Sequence, residues 1–184
     1  HKEYHDEEWS KKGGNFKMVQ LWVNLSAKAK KHAPRYQAIT NEQMGRYQLP
    51  NAGGVIEVIA GEYEGVKGPA ITFSPIYLFN AKLKSDAEAV FKCPAQHNTA
   101  LLVIRGSILV NGSTEAPADN MVKFNSDGDE FTIKASEDSI VLLLSGEPLK
   151  EPIVSYGPFV MNTEQEIREA ISDYNSGKFG HLDE

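Results

Sequence analysis

One stretch of the sequence decides the fold: Ala100-Leu101-Leu102-Val103-Ile104-Arg105-Gly106-Ser107-Ile108-Leu109-Val110-Asn111-Gly112. Two short apolar runs, residues 100–104 and 107–110, flank Arg105-Gly106, and this pattern predicts a β-hairpin. Asn111-Gly112 then predicts a tight turn, because both residues tolerate a positive φ angle. Short strands joined by tight turns are typical of antiparallel sheets.

The same pattern of short apolar runs separated by turn residues extends along the chain in both directions. Further strands are predicted at residues 55–60, 70–83 with an interruption at Pro75, 120–124, 130–133 and 139–144. Short strands that begin roughly every 8–12 residues indicate an antiparallel sandwich or barrel rather than a parallel sheet. The sequence therefore predicts an all-β fold.

One helix is predicted at the end of the chain, over residues 163–176. Thr163-Glu164-Gln165-Glu166 forms a capping box, in which the threonine hydroxyl accepts a backbone N–H and Glu166 reaches back to the N-cap. Four apolar residues follow with helical spacing and share one face: Ile167, Ala170, Ile171 and Tyr174. Gly177 supplies the C-terminal stop.

The first part of the chain is less regular. Residues 18–25 predict a strand, because apolar and β-forming residues dominate there. Residues 35–39 predict a short edge strand, and the Gly- and Pro-containing residues 40–54 predict a link between two structural units. The polar residues 26–32 predict a connector with a small basic cluster, which we interpret as a solvated loop or, alternatively, as a protein-docking surface. The cluster consists of Lys28, Lys30, Lys31 and His32.

The composition narrows the class of protein. The 184 residues carry a net charge of −6 and include 41% hydrophobic residues, which excludes wholesale disorder and argues against nonspecific binding to nucleic acid. No apolar run approaches the roughly 18 residues of a membrane span. The single cysteine, Cys93, excludes an internal disulfide and fits a reducing compartment. We expect a cytoplasmic protein, or a nuclear one in a eukaryote, with no direct nucleic-acid or membrane partner.

The chain begins at His1 rather than at a methionine. Initiator methionine is usually removed only before small residues, so this start predicts the downstream part of a longer polypeptide. The opening strand would then leave a sheet edge exposed, unless the upstream half or another copy of the chain covers it.

Several blocks of sequence occur in the order typical of one known family. They are His1-Lys2-Glu3, Gln20–Leu25, Pro34–Gln37, Gly61-Glu62, Gly65–Ala70, Gly146–Leu149, Glu151-Pro152 and Tyr156–Thr163. Through these blocks the chain resembles the pirin family of two-domain cupin proteins. The likeness extends over nearly the whole chain, and its C-terminal blocks are the most specific.

The resemblance implies a bicupin, in which two antiparallel jelly-roll barrels pack together. Residues 1–42 would be the C-terminal remainder of the first, metal-binding cupin and would include its last strands. Residues 43–184 would be the complete second cupin, free of metal, with its closing helix over 163–176. The missing N-terminal cupin half is therefore the first expected partner.

The resemblance also implies a mononuclear iron site in the first barrel, held by three histidines and one glutamate. Two of the histidines would lie upstream of this chain, and the other two ligands map onto His1 and Glu3. Residues i and i+2 of a strand project to the same face, and a mixed imidazole and carboxylate set with open positions suits non-heme Fe(II). His5 lies on the same strand face, but the family pattern does not use it, so we expect an exposed side chain there.

Two reactive side chains of the second barrel lack a matching partner in the sequence. His97 precedes a core strand without a second histidine nearby, so we expect a surface histidine or a hydrogen-bonded loop histidine. Cys93 has no CxxC partner, which predicts a buried, inert thiol. Phe16 and Trp22 are expected in the core or in a pocket wall.

The resemblance implies two functions of different classes. As an enzyme, the full-length protein would be an Fe(II)-dependent quercetin 2,3-dioxygenase, which opens the central ring of a flavonol with O2 and releases carbon monoxide. Glu3 would then be the catalytic general base for the substrate hydroxyl, and His1 a neutral ligand. As a noncatalytic regulator, the protein would act through a protein partner, as a transcriptional coregulator or as a modulator of a metabolic enzyme. In a third alternative, this chain alone has no independent activity.

Overall fold

The computed structural model describes residues 6–180, which form two compact units. The larger unit comprises residues 32–149, and the smaller unit combines residues 6–31 with residues 150–180. His1, Glu3 and His5 lie outside the described residues. No helix between residues 6 and 180 is both long enough and apolar enough to span a membrane.

The larger unit is built from antiparallel strands and two 3-10 helices, Asn41–Gln43 and Pro50–Ala52. The strands are β1 (Gly45–Gln48), β2 (Gly54–Ala60), β3 (Glu62–Tyr63), β4 (Val66–Lys67), β5 (Ile76–Leu83), β6 (Glu88–Lys92), β7 (Asn98–Arg105), β8 (Ser107–Val110), β9 (Thr114–Pro117), β10 (Met121–Lys123), β11 (Glu130–Ala135) and β12 (Ser139–Gly146). A six-stranded sheet has the order β1-β2-β5-β12-β7-β10, and a four-stranded sheet has the order β6-β11-β8-β9. β3 and β4 form a separate hairpin.

One hydrophobic core joins the two sheets. Alternate residues of each strand point inward, as in β6, where Ala89 and Phe91 are buried and their neighbours are exposed. Phe79 of the six-stranded sheet and Ile133 of the four-stranded sheet belong to the same buried cluster. Burying each such side chain contributes roughly 1.5–3 kcal/mol. The predicted all-β antiparallel barrel is confirmed.

Residues 100–112 contain the two predicted strands, but these strands do not form a hairpin with each other. β7 pairs with β10 and β12, whereas β8 pairs with β9 and β11 in the other sheet. Because both edges of β7 are occupied, the chain crosses between the sheets at Gly106. This glycine has φ +79°, and a Cβ atom there would lie 2.3 Å from the Ser139 hydroxyl oxygen. The predicted turn at Asn111-Gly112 is confirmed, since both residues have positive φ and join the paired strands β8 and β9.

The smaller unit contains two helices and one hairpin: α1 (Glu7–Lys12), β13 (Val154–Tyr156), β14 (Phe159–Met161) and α2 (Glu164–Asn175). α2 is the predicted C-terminal helix. The Thr163 hydroxyl accepts from the Glu166 backbone N–H at 3.2 Å, and the Glu166 carboxylate accepts from the Thr163 N–H at 2.9 Å. This capping box begins the helix where the sequence predicts it, and Gly177 follows its end with φ +74°.

Two predicted strands are wrong. Residues 18–25 belong to no strand of the described chain, since no neighbouring strand there satisfies their backbone N–H and C=O groups. Residues 35–39 are also not a strand. Instead, the Gln37 side chain reproduces one strand-like contact, because its amide accepts from the Ile71 N–H at 2.8 Å and donates to the Ile71 carbonyl at 3.0 Å.

Residues 40–54 are more ordered than the predicted link. They contain both 3-10 helices and β1, which pairs with β2. The glycines and prolines of residues 40–54 therefore lie at the ends of short helices and strands and do not mark a linker. The strand predicted over 70–83 begins only at Ile76, directly after Pro75, which has no N–H to donate to a sheet. The sequence did not predict α1, β6, β9 or the β13–β14 hairpin.

Candidate functional site

Three buried polar residues and a buried cysteine form a cluster at one end of the core of the larger unit. It consists of Cys93, His97, Thr99 and Ser145, hereafter the polar cluster. Cys93 follows β6, and His97 directly precedes β7. Thr99 on β7 and Ser145 on β12 are paired residues in the sheet register, so their side chains project into the core side by side.

Ser145 is the centre of the polar cluster. Its hydroxyl oxygen lies 3.1 Å from Nδ1 of His97 and 2.9 Å from the hydroxyl oxygen of Thr99. The backbone N–H of His97 donates to the Pro94 carbonyl at 2.8 Å, which fixes the loop that carries the imidazole. The prediction of a hydrogen-bonded histidine is confirmed, whereas its alternative, a surface histidine, is wrong because only 6% of His97 is exposed.

The polar cluster is uncharged near neutral pH. Burial raises the pKa of the Cys93 thiol above its ordinary value, and hydrogen bonds with the Ser145 and Thr99 hydroxyls oppose that shift only in part. Burial also lowers the pKa of His97, and the Glu147 carboxylate opposes this shift only in part. A neutral, buried thiol is a poor nucleophile, which agrees with the predicted inert role of Cys93.

A small cavity adjoins the polar cluster. It encloses about 80 Å³. Cys93, His97 and Thr99 line it together with the aromatic residues Phe124 and Phe131, whose rings stack with centroids 4.1 Å apart. Sites for drug-sized ligands usually enclose roughly 300–1,000 Å³. This cavity therefore has room for a few water molecules and none for a flavonol.

The polar cluster does not fit an iron centre. Within residues 6–180, no three His, Cys, Asp or Glu side chains converge closely enough to hold a metal ion. The cluster offers one imidazole and one neutral thiol, and hydroxyls occupy the neighbouring positions. The iron ligands predicted from the resemblance, His1 and Glu3, lie outside the described residues and remain a prediction.

A buried carboxylate in the larger unit escaped the sequence analysis. The Glu57 side chain is only 4% exposed, on the outer face of β2. It accepts from Lys82 at 2.8 Å and from Asn80 at 2.7 Å, and Arg46 lies 3.8 Å away. A lone charge inside the apolar run Val55–Ala60 is the signal that could have identified it. Because both cations are about half exposed and the carboxylate is paired, we assign Glu57 a structural role.

In the smaller unit, Glu151 connects the two sequence segments, residues 6–31 and residues 150–180. Its carboxylate accepts from the Ala27 backbone N–H at 2.7 Å and from the Asn162 side chain at 3.1 Å. An exposed ion pair of 3.3 Å between Lys31 and Glu169 adds a second link. The predicted basic cluster thus has one member in contact with α2, inside this unit.

Comparison with known proteins gives a consistent result. The family model described as the Pirin C-terminal cupin domain matches residues 78–180. The chain is 40% identical over 179 residues to "Putative quercetin 2,3-dioxygenase PA2418" of Pseudomonas aeruginosa. It is 34% identical over 168 residues to mouse pirin. The crystal structure of quercetin 2,3-dioxygenase from Acinetobacter baumannii superposes with a TM-score of 0.83 at 41% identity and covers 88% of this chain.

These relatives are longer than the matched region. The alignment covers 97% of this chain but 62% of the P. aeruginosa protein, and 88% of this chain but 57% of mouse pirin. It covers 56% of the A. baumannii chain. The chain thus spans a little more than half of the length of the proteins it resembles.

Proposed function

The chain belongs to the pirin family of cupin proteins, and from this we propose that it provides the second half of an iron-dependent bicupin. In its full-length form this bicupin opens flavonols with O2, as a quercetin 2,3-dioxygenase. One observation carries the proposal: one relative and one solved structure with that name share 40% and 41% of their aligned residues with this chain. Residues 1–42 would complete the first cupin, and residues 43–184 would form the second.

Within this proposal, two residues of the chain serve the reaction directly. His1 and Glu3 would hold the iron together with two histidines from the preceding barrel. The bound iron would supply a Lewis acid for the flavonol 3-hydroxyl and a site for O2. Glu3 would accept the proton of that hydroxyl as the general base, and His1 would remain neutral.

The larger unit would serve as a scaffold in this mechanism. Its cavity of about 80 Å³ is too small for a flavonol, and its polar cluster is uncharged. The substrate would therefore bind in the first barrel.

The test is oxygen uptake with quercetin by the iron-loaded protein that includes the preceding barrel. Replacing Glu3 by Gln removes the base, so we expect turnover to fall by roughly 10²–10⁴-fold. His5→Gln is the matched control, because the spacing predicts the same strand face for His5 but the family pattern assigns it no role; its turnover should equal that of the unmodified protein. Unchanged turnover in Glu3→Gln, with iron content also unchanged, would refute the assigned role.

A noncatalytic regulator is the second candidate. The observation that favours it is the 34% identity to mouse pirin, because the resemblance implies an iron-dependent regulator as well as a dioxygenase. In this reading the iron would act as a redox-sensitive switch for a protein contact. Hydrogen–deuterium exchange of residues 32–149 should then differ between the Fe(II) and Fe(III) forms. Identical exchange in both forms would eliminate the switch.

A further inference from the structure

The cavity beside the polar cluster has a buried interior and an exposed mouth. The interior includes His97 and Phe131, and each of these residues is 6% exposed. The mouth is formed by residues 125–130, which lead from β10 into β11 and are all exposed. The Cys93 backbone N–H donates to the Asp129 carbonyl at 2.8 Å. This hydrogen bond holds the mouth next to the polar cluster.

The mouth carries negative charge. Three carboxylates line it, those of Asp127, Asp129 and Glu130, and no lysine or arginine of the described chain does so. Glu130 forms an exposed ion pair with Lys92, with 3.6 Å between the charged atoms. Asp127 and Asp129 form no ion pair within residues 6–180. Two uncompensated carboxylates at an entrance attract cations and repel anions.

The interior contains a hydrogen-bonding atom that the protein does not use. Nδ1 of His97 contacts the Ser145 hydroxyl, whereas its other ring nitrogen, Nε2, forms no hydrogen bond with any residue between 6 and 180. Nε2 is not completely buried, because the one fully buried side-chain polar atom without a partner in the described chain is Asn162 Oδ1. Since His97 lines the cavity, Nε2 is available to a ligand there. An unsatisfied polar atom inside a core indicates a missing partner.

The remaining walls of the cavity are largely apolar. Pro94 and Ala95 contribute to them, together with the stacked rings of Phe124 and Phe131. The enclosed volume is about 80 Å³, which is roughly the space that three water molecules take up in the liquid. A ligand of about four non-hydrogen atoms therefore fits, provided that the group at one end lies in the mouth.

We infer that this cavity binds a short protonated amine that carries a hydroxyl group at its other end. The ammonium group would lie in the mouth, where the Asp127 and Asp129 carboxylates accept its N–H donors. The methylene groups would lie against Phe124 and Phe131, and the hydroxyl would share a hydrogen bond with Nε2 of His97. This inference concerns the larger unit alone, and it goes beyond the proposed dioxygenase because it needs neither iron nor a flavonol.

The test uses four probes of similar size. Ethanolamine carries both groups, and ethylamine lacks the hydroxyl. Ethylene glycol has a neutral hydroxyl in place of the ammonium group, and glycolate has a carboxylate there. Each probe is titrated at pH 7 into the full 184-residue chain, labelled with ¹⁵N, and the backbone amide shifts are followed by NMR. The buffer is phosphate, because Tris is itself an amine.

We expect ethanolamine to bind with a Kd of about 1 mM, since a ligand with so few atoms binds weakly even in a matched site. The shifted amides should be those of His97 and residues 125–131. Ethylamine should bind about fivefold more weakly, because it cannot form the hydrogen bond with Nε2. Ethylene glycol and glycolate should show no saturable binding, because the mouth selects for positive charge.

A variant of the mouth tests the role of charge. Asp127→Asn combined with Asp129→Asn should weaken ethanolamine binding by about tenfold, because two exposed carboxylates no longer pair with the ammonium group. Glu88→Gln is the matched control, since it removes an exposed carboxylate at the opposite end of β6 from Cys93. It should leave the Kd unchanged. Equal weakening in the control would show that only the net charge of the chain matters, which would overturn the inference.

A variant of the interior tests the role of Nε2. His97→Phe keeps an aromatic ring but removes the nitrogen, so ethanolamine should then bind no better than ethylamine. A dispersed ¹⁵N spectrum checks that this variant is folded; if it is not, the ratio of the two affinities in the unmodified chain decides the point.

Three results would overturn the inference. They are the absence of saturable ethanolamine binding, equal binding of glycolate or ethylene glycol, and amide shifts confined to residues outside the cavity. The sample contains neither iron nor quercetin. Such a result would therefore leave the proposed dioxygenase activity untouched, and a failure of the oxygen-uptake assay would leave the amine site untouched.

Discussion

The larger and the smaller unit differ in how much of their own apolar surface they bury. Of the 25 buried hydrophobic residues in the described chain, 22 lie in residues 32–149 and three, Ala29, Ile167 and Ala170, lie in the smaller unit. Both units contain regular, well-capped elements, so local sequence signals are satisfied in each. The difference shows that local order and a self-sufficient core are separate properties, and that only the larger unit has both.

The largest difference in stability between the two units is expected when a core side chain of the larger unit is removed. Phe79 is 1% exposed, between the rings of Tyr63 and Tyr77. Phe79→Ala should lower the free energy of unfolding of the larger unit by about 3–5 kcal/mol, since it removes a large buried ring and leaves a cavity. Urea denaturation followed by far-UV circular dichroism measures this change.

Trp22→Ala is the corresponding substitution in the smaller unit. It should change the free energy of unfolding, measured in the same way, by less than about 0.5 kcal/mol, because Trp22 is exposed and surface substitutions usually have small effects. Similar losses in the two variants would show that residues 16–23, whose large hydrophobic side chains are exposed, belong to the core of this chain. The comparison between the units would then fail.

A smaller effect tests the local order of the smaller unit. Thr163→Ala removes the N-cap hydroxyl of α2 and should cost about 1 kcal/mol of helix stability. Hydrogen exchange of the α2 amides should then be roughly fivefold faster, while exchange in β7 and β12 stays the same. Ser113→Ala, in an exposed turn of the larger unit, is the control and should leave α2 unchanged. Faster exchange throughout β7 and β12 would show that the two units unfold together.

The last expected effect is a pH dependence of the stability of the larger unit. Burial lowers the pKa of His97 in the folded state, so the unfolded chain binds a proton more readily once the pH falls below about 6.5. His97 therefore makes the folded state less stable as the pH falls from about 7.5 to about 5.5, by at most about 1.4 kcal/mol per pH unit. His97→Gln should make the measured slope shallower.

Ser113→Ala provides the control for that slope, because it replaces an exposed residue that does not titrate. It should reproduce the pH dependence of the unmodified chain. An unchanged slope in His97→Gln would show that the imidazole does not titrate differently on unfolding, and that the polar cluster is more open to water than its burial indicates.

A feature could be predicted from the sequence when the residues that determine it lie close together in the chain. α2 was predictable because its capping residues, Thr163 and Glu166, are three positions apart, and the turn at Asn111-Gly112 is equally local. The hairpin at Arg105-Gly106 was wrong because the choice of sheet depends on which edges of β7 are already paired. The strand over residues 18–25 was wrong because the described chain contains no strand to pair with it.

The candidate sites follow the same rule. His97 and Ser145 are 48 positions apart, so no spacing in the sequence could show that they meet. The ion pair between Glu57 and Lys82 likewise depends on the pairing of β2 with β5. The metal-ligand roles of His1 and Glu3 rest on the resemblance alone, since two residues of a predicted strand with i, i+2 spacing imply a shared face and do not by themselves specify a metal.

The division of the chain into units has a consequence for its connectivity. The backbone leaves the smaller unit near residue 31, passes through the whole barrel and returns near residue 150, so the barrel is an insertion between the two segments of the smaller unit. Removing residues from either segment therefore damages the same unit and spares the barrel. Because the barrel has a core of its own, it can be exchanged as a module between residues 31 and 150.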